Sequence, residues 1–247
     1  MDAASAFFDR RSNSWNVDSL VNFNHLNTRV QLHLRKVYST LCVAILVAAV
    51  GVYAHILTHL GGLLTTFGFI GVTMWLLSTP PYEDGKRYKL LMGAAFLEGA
   101  SLGTLIEYVI NQDPSIAVTA LLGTMAIFAS FSGAAVFAKR REYLFLGGIL
   151  SSLVSTMLML RFGSYIFGGS SAMFNVELYG GLLLFVGYVL FDTQLIIERA
   201  DKGDEDYIKH SLDLFMDFVS IFVRVLIILS KNSSQKTREE RKKRGSS

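Results

Sequence analysis

The chain has 247 residues, of which 51% are hydrophobic and 17% charged, and its formal net charge is +3. A mean hydropathy of +0.41 excludes an ordinary soluble domain and indicates an integral membrane protein, for which no nucleic-acid partner is expected. The single cysteine, Cys42, excludes an intramolecular disulfide and is predicted to be a packed apolar residue.

The N-terminal region, residues 1–36, contains no apolar segment long enough to cross a bilayer, so we expect no cleavable signal peptide there. Within it, the stretch 17–36 places apolar residues near helical spacing. This spacing predicts an amphipathic helix on the membrane surface. The residues concerned are Leu20, Val21, Leu26, Val30 and Leu34.

Seven apolar segments follow, each close to the roughly 20 residues that a bilayer-spanning helix needs. They are predicted at 37–57, 61–79, 88–110, 115–138, 143–160, 177–198 and 210–230. The Gly- and Ser-rich stretch 162–175 is predicted to be a longer loop or a partly embedded segment. A membrane domain over 37–230 and a basic polar tail over 231–247 complete the chain, which is predicted to be an all-α, seven-helix transmembrane bundle.

The distribution of Lys and Arg predicts the orientation of these segments. Basic residues cluster near the N-terminus, around 86–89, at 139–141 and around 199–209, whereas the intervening loops have almost none. The positive-inside rule therefore predicts a cytosolic N-terminus and cytosolic basic loops. The seventh segment breaks this alternation because its basic tail would lie on the far side. It either crosses the membrane or re-enters and turns back.

Two aspartates lie inside apolar segments near the end of the chain, Asp192 in the sixth and Asp217 in the seventh. A carboxylate at a helix centre costs roughly 2.5–3.5 kcal/mol on insertion scales, so intramembrane acids are functional by default. The two residues are almost equally far from the turn near Gly203 and Asp204. In an antiparallel hairpin they lie at nearly the same depth, roughly 10–14 Å from the cytosolic edge.

Two carboxylates in a low dielectric cannot easily both ionise, so a neighbouring pair tends to share a proton. Such a pair would join two helices when singly protonated, and would release them or bind a cation when ionised. Carboxylate oxygens are hard ligands that suit Ca²⁺, so Asp192 and Asp217 are candidates for a transient Ca²⁺ site. The alternative is a static pair neutralised by Arg224, two turns beyond Asp217.

Other polar residues in the apolar segments are weaker candidates. Asp213 shares a helix face with Asp217 and lies about one turn nearer the hairpin turn. Glu98, in the middle of the third span, is either functional or a protonated acid hydrogen-bonded to a neighbouring helix. His55 and His59 share a face, but no acid or cysteine is near them in sequence, so they are interpreted as interfacial polar residues rather than metal ligands.

The stretch GLLLFVGYVLFDTQLIIERADKGDEDYIKHSLDLFMDF, residues 181–218, resembles the C-terminal motif of the Bax inhibitor-1 group of the transmembrane Bax-inhibitor-motif family. Three shorter stretches support the resemblance, which covers nearly the whole chain from about residue 30 and is most like the plant members. They are STPPYEDGKR (78–87), LEGASLG (97–103) and AKRREYLFLGGILSS (138–152).

This resemblance implies an endoplasmic-reticulum membrane protein that suppresses programmed cell death and lowers reticular Ca²⁺ through a pH-sensitive leak. It implies a bundle whose last helix is central, surrounded by the other six. The family's di-aspartyl pH sensor corresponds to Asp192 and Asp217, with Asp213 in the same motif and a basic partner on an early helix. It further implies calmodulin binding through the C-terminal tail, cell-death or reticulum membrane proteins as partners, and no cofactor.

Other functional classes are distinguishable. An intramembrane aspartyl protease also uses two aspartates on adjacent helices, but its GxGD and PAL motifs are absent here and the contexts are FD and MD, so we expect no enzyme activity. A non-conducting scaffold that acts only through protein partners is the main alternative. A receptor is disfavoured by the short loops.

Overall fold

The computed structural model describes residues 26–138, 143–168 and 170–244, and all its regular structure is α-helical. The seven helices are α1 (Thr28–Thr58), α2 (Leu63–Ser78), α3 (Asp84–Gln112), α4 (Pro114–Phe137), α5 (Leu146–Phe167), α6 (Ser171–Asp201) and α7 (Tyr207–Arg244). Five of them, α1, α3, α4, α5 and α6, are long and apolar enough to cross a membrane. The predicted fold class, an all-α membrane bundle, is confirmed.

Local sequence accounts for where several helices begin. The side chains of Asn27, Asp113 and Ser170 accept hydrogen bonds from backbone N–H groups in the first turns of α1, α4 and α6. Pro114 follows Asp113 at the first helical position, where its missing N–H costs no hydrogen bond. Gly203 has a φ of 98° and makes the sharp turn between α6 and α7.

The C-terminal helix lies at the centre of the bundle. Helix α7 packs against α1, α3, α4 and α6, whereas α2 packs mainly on α3 and α5 mainly on α6. The main hydrophobic core surrounds α7 and includes Leu214, Phe215 and Ile221, which are fully buried. The last helix is therefore central, but four helices surround it instead of six, and α2 and α5 lie at the periphery.

Helices α1 and α3 pack closely because glycines on each helix face the backbone of the other. A Cβ atom at Gly99 would lie 2.0 Å from the carbonyl oxygen of Ala48, and one at Gly51 would lie 2.1 Å from that of Phe96. Only glycine allows backbones to approach this closely. The spacing of Gly99 and Gly103 therefore positions α1 directly against α3.

Helix α7 is continuous and does not turn back. Near its start Asp206 binds Arg87 at the start of α3, and Ser230 donates a hydrogen bond to Gln112 at the end of α3, 3.3 Å away. Between Asp206 and Ser230 the helix rises about 36 Å, which exceeds the roughly 30 Å hydrocarbon core. Since α7 runs parallel to α3 over this length, the re-entrant alternative for segment 210–230 is wrong.

Two segments differ from what the sequence indicated. The predicted loop at 162–175 was wrong. Helix α5 continues to Phe167, and α6 begins at Ser171. Gly163 and Ser164 lie within one turn of α5, and the helix tolerates both. Residues 28–36 are continuous with the first span in α1, and α7 remains helical through most of the tail. Of the predicted surface helix at 17–36, residues 17–25 lie outside the described residues, and 28–36 form the start of α1 instead of a separate helix. The basic loop at 139–141 also lies outside the described residues.

Candidate functional site

The structure brings Asp192 and Asp217 together. The α6–α7 hairpin places them side by side, and their carboxyl groups lie within hydrogen-bonding distance of each other. Asp217 is 4% exposed and Asp192 is half-buried. A hydrogen bond between two carboxyl groups requires a proton on one of them. The geometry is therefore that of a pair that can share one proton.

Asp213 and Tyr188 complete the surroundings of the pair. Asp213 interacts electrostatically with both aspartates and is half-buried, one turn nearer the hairpin turn. Tyr188 lies one turn before Asp192 on α6 and also faces both carboxyl groups. We call Asp192, Asp213 and Asp217 the carboxylate cluster. Three acidic groups this close together, one of them buried, form a strong local attraction for protons or cations.

The positive charges near the carboxylate cluster lie on its hairpin side. Arg199 on α6 interacts with Asp192 and Asp213, and Lys209 on α7 interacts with Asp213. Among the described residues, no N–H or O–H donor reaches the buried Oδ2 atom of Asp217. Only a proton shared with Asp192, or a bound cation, would compensate that oxygen.

The two other supporting candidates lie elsewhere. The guanidinium of Arg224 donates a 2.8 Å hydrogen bond to the carbonyl of Ser220 and lies 4.4 Å from the centre of the Phe185 ring. Its acidic neighbour is Glu177, so Arg224 does not neutralise the pair. Glu98 is half-buried on α3 and is not among the charged groups that act on Asp192, Asp213 or Asp217.

A buried ion pair at the hairpin turn was not foreseen from the sequence. Arg87 on α3 donates two hydrogen bonds of 2.8 Å to the two carboxylate oxygens of Asp206. The side chains of Arg87 and Asp206 are 3% and 13% exposed. Asp206 also accepts the N–H of Lys209 at 3.0 Å, which caps the first turn of α7. The start of α7 is thereby fixed to α3.

Electrostatics at this ion pair favour the charged carboxylate. Burial raises the pKa of Asp206, but the hydrogen bonds from Arg87 and from the Lys209 N–H outweigh burial and hold its pKa below the ordinary value. The neighbouring Glu205 is exposed, and its hydrogen bond to Arg29 likewise lowers its pKa. In the sequence, Arg87 contributed only to the distribution of basic residues that predicts orientation. Nothing there indicated its partner, which lies 119 residues away.

A second polar cluster lies at the opposite end of α1 and α3, where Glu107 joins His55 and His59. The three potential ligand atoms lie within 4.8 Å of one another. However, Nδ1 of His55 accepts the N–H of Gly61 at 2.6 Å, so the neutral ring carries its proton on Nε2, which donates to Glu107 at 3.2 Å. A protonated Nε2 cannot bind a metal, so the arrangement is a hydrogen-bonded contact between helices.

Taken together, the fold and the site define a multi-pass membrane protein with a carboxylate pair buried in its central hairpin. A family model described as "Inhibitor of apoptosis-promoting Bax1" matches residues 30–234 of the chain. The chain belongs to this family, as its sequence motifs indicated.

Curated relatives agree over nearly the full length of the chain. It is 57% identical to Bax inhibitor 1 of Arabidopsis thaliana over 96% of both chains, and 50% identical to that of Oryza sativa subsp. japonica over the whole of both. It is 44% identical to the Bax inhibitor 1 of Homo sapiens, over 95% of this chain and 99% of the human one. The similarity to plant relatives confirms the resemblance seen in the motifs.

Proposed function

We propose that this protein suppresses programmed cell death from the endoplasmic-reticulum membrane, acting as a pH-sensitive Ca²⁺ leak controlled by Asp192 and Asp217. The family and the curated relatives support a role in cell-death suppression. The observation that carries the ion-path proposal is the contact between the two carboxyl groups in the central hairpin.

The protonation state of Asp192 and Asp217 controls the leak in this proposal. With one proton, the carboxyl groups hydrogen-bond to each other and hold α6 against α7. Without it, two negative charges face each other in a low dielectric, so they repel or bind a cation. Ca²⁺ fits that second state because it prefers hard oxygen ligands, which Asp213 adds to the pair. Protons and Ca²⁺ therefore compete for the same oxygens.

Orientation follows from the charges at the hairpin end of the bundle. The starts of α1, α3 and α7 and the end of α6 lie together there, with the basic residues Arg29, Arg87, Arg199, Lys202 and Lys209. The positive-inside rule supports a cytosolic hairpin and a cytosolic N-terminus. The carboxylate cluster would then sense cytosolic pH.

Calmodulin binding through the tail is a separate prediction, and it depends on topology. Basic helical segments are common calmodulin targets. Because α7 is continuous, its C-terminal end lies at the opposite end of the bundle from the hairpin. A cytosolic hairpin and a tail that binds cytosolic calmodulin are therefore incompatible in this conformation.

The test is Ca²⁺ efflux from proteoliposomes measured across a range of pH, for the wild type and for Asp192→Asn and Asp217→Asn. Asparagine preserves size and hydrogen bonding but cannot release the shared proton, so both variants are expected to lose the pH response. Glu98→Gln is the matched control, since it neutralises an intramembrane acid outside the carboxylate cluster. The proposal fails if both aspartate variants retain wild-type flux and pH dependence.

Cell protection distinguishes the leak from the scaffold. If the leak carries the function, the variants that lose pH-controlled flux should also lose protection against a cell-death stimulus at equal expression. Full protection by flux-dead variants would instead support a non-conducting scaffold that acts through protein partners.

A further inference from the structure

An apolar groove of about 650 Å³ opens on the outer surface of the bundle between α1 and α4. The buried side chains of Phe128 and Phe218 form its floor, Cys42 is exposed along it, and Arg35 lies at the end near the hairpin. Phe218 belongs to the central helix and follows Asp217 directly. The groove therefore reaches from the membrane-facing surface to the helix that carries the carboxylate pair.

Small residues on α4 create this space. Ala129, Ser132 and Gly133 line the groove, and a Cβ atom at Gly133 would meet no atom within 4 Å. The polar atoms of the floor are used internally, since the Tyr38 hydroxyl pairs with that of Ser132 and lies 3.4 Å from that of Thr193. The floor therefore offers an apolar surface that suits a hydrocarbon chain.

The dimensions of the groove match one leaflet of a bilayer. On α4 it extends from Phe137, at the end of the helix, to Met125. This is a rise of about 18 Å along the helix, and half of a typical hydrocarbon core is about 15 Å. The groove thus runs from the membrane surface at the hairpin end to about the middle of the membrane.

Charge identifies the kind of headgroup. Arg35 is exposed at the mouth of the groove, and no carboxylate among the described residues forms an ion pair with it. Lys36 is exposed beside it. An arginine at this depth keeps its guanidinium at the interface, where its forked donors fit phosphate oxygens and its positive charge favours a headgroup of net negative charge.

We propose that this groove is a binding site for an anionic phospholipid, with one acyl chain lying between α1 and α4 and the headgroup on Arg35. The acyl chain contacts Phe218, so the lipid lies directly against the central helix. This site is independent of ion conduction and does not rest on the proposed leak.

The test uses the full-length protein in nanodiscs that contain a trace of photoactivatable phospholipid with the reactive group on the acyl chain. The lipid is either phosphatidylserine or phosphatidylcholine, and cross-linked peptides are identified by mass spectrometry. We expect labelling at 38–45 and 125–137, stronger for phosphatidylserine by about fivefold, the contribution of one basic residue near an anionic surface.

Two variants separate the two parts of the site. Gly133→Leu fills the groove, so it should remove most of the labelling there with either lipid. Gly148→Leu is the matched control, because Gly148 on α5 also has open space around it and lies outside the groove. Arg35→Gln should abolish the preference for phosphatidylserine and leave the acyl-chain labelling in place.

Three results would overturn the proposal. The first is equal labelling of the groove by the two lipids in the wild type. The second is unchanged labelling in Gly133→Leu when that variant elutes as a folded monomer like the wild type. The third is a second copy of the chain in the groove, which cross-linking through Cys42, the only cysteine, would show as a covalent dimer.

Discussion

The ion pair between Arg87 and Asp206 gives the sharpest stability prediction. Asp206→Asn removes the negative charge, but asparagine still caps the first turn of α7. Arg87, 3% exposed, is then left as a buried cation without a counter-ion. Breaking a buried pair in this way costs about 3 kcal/mol, at the lower end of the usual range because Asp206 lies beside the turn.

The assay is thermal unfolding of the purified protein in detergent. At about 2–4 °C per kcal/mol for a chain of this size, Asp206→Asn should lower the Tm by about 6–12 °C. The matched control is Glu205→Gln, which breaks the neighbouring pair with Arg29. Both side chains of that pair are 54% exposed, so water screens it and the Tm should hardly change. Equal shifts in the two variants would refute the reasoning.

The pH dependence of this contribution follows from the lowered pKa of Asp206. A carboxyl whose pKa is lower in the folded protein stabilises it at pH values above the unfolded pKa, about 3.9 for Asp. That stabilisation is lost only as the pH falls through the folded value. The Tm difference between wild type and Asp206→Asn should therefore be constant near neutral pH and shrink in acid.

Two further predictions concern packing and topology. Gly99→Ala should lower the Tm, because the added methyl group would meet the α1 backbone and overpacking typically costs about 1–3 kcal/mol. Gly71→Ala is the control. Gly71 has open space around it, so this variant should keep the wild-type Tm. Cysteines placed at Ser234 and Lys202 of a cysteine-free variant should react with an impermeant thiol reagent from opposite sides of the membrane. Reaction from the same side would contradict a continuous α7 that crosses.

Much of the fold was predictable because the signals are local. The length of an apolar segment is set by the bilayer, so the spans were visible directly in the sequence. The contact between Asp192 and Asp217 was also predictable, since a short turn fixes the register of a hairpin. Both residues are nearly equidistant from Asp204, which follows Gly203, the residue whose positive φ makes that turn.

Other contacts were not predictable because they join helices that are distant in sequence. Glu107 meets His55 only through the packing of α3 on α1, and Arg87 meets Asp206 only because α3 and α7 run parallel. The prediction of a loop at 162–175 was wrong for a different reason. Its glycines and serines resemble a turn, but in an apolar environment backbone groups gain more by continuing the helix.

Two layers of charge lie along the start of α7, and they respond differently to protons. In the outer layer, Asp206 is paired with a permanent cation and has a lowered pKa, so it stays ionised near neutral pH. In the inner layer, the hydrogen bond between Asp192 and Asp217 exists only while a proton lies between them. Because Asp206 stays ionised, its pair with Arg87 keeps the start of α7 fixed to α3 when the pH changes near neutrality. We therefore expect the pH response proposed for this protein to begin at the carboxyl groups of Asp192 and Asp217 rather than at the pair between Arg87 and Asp206.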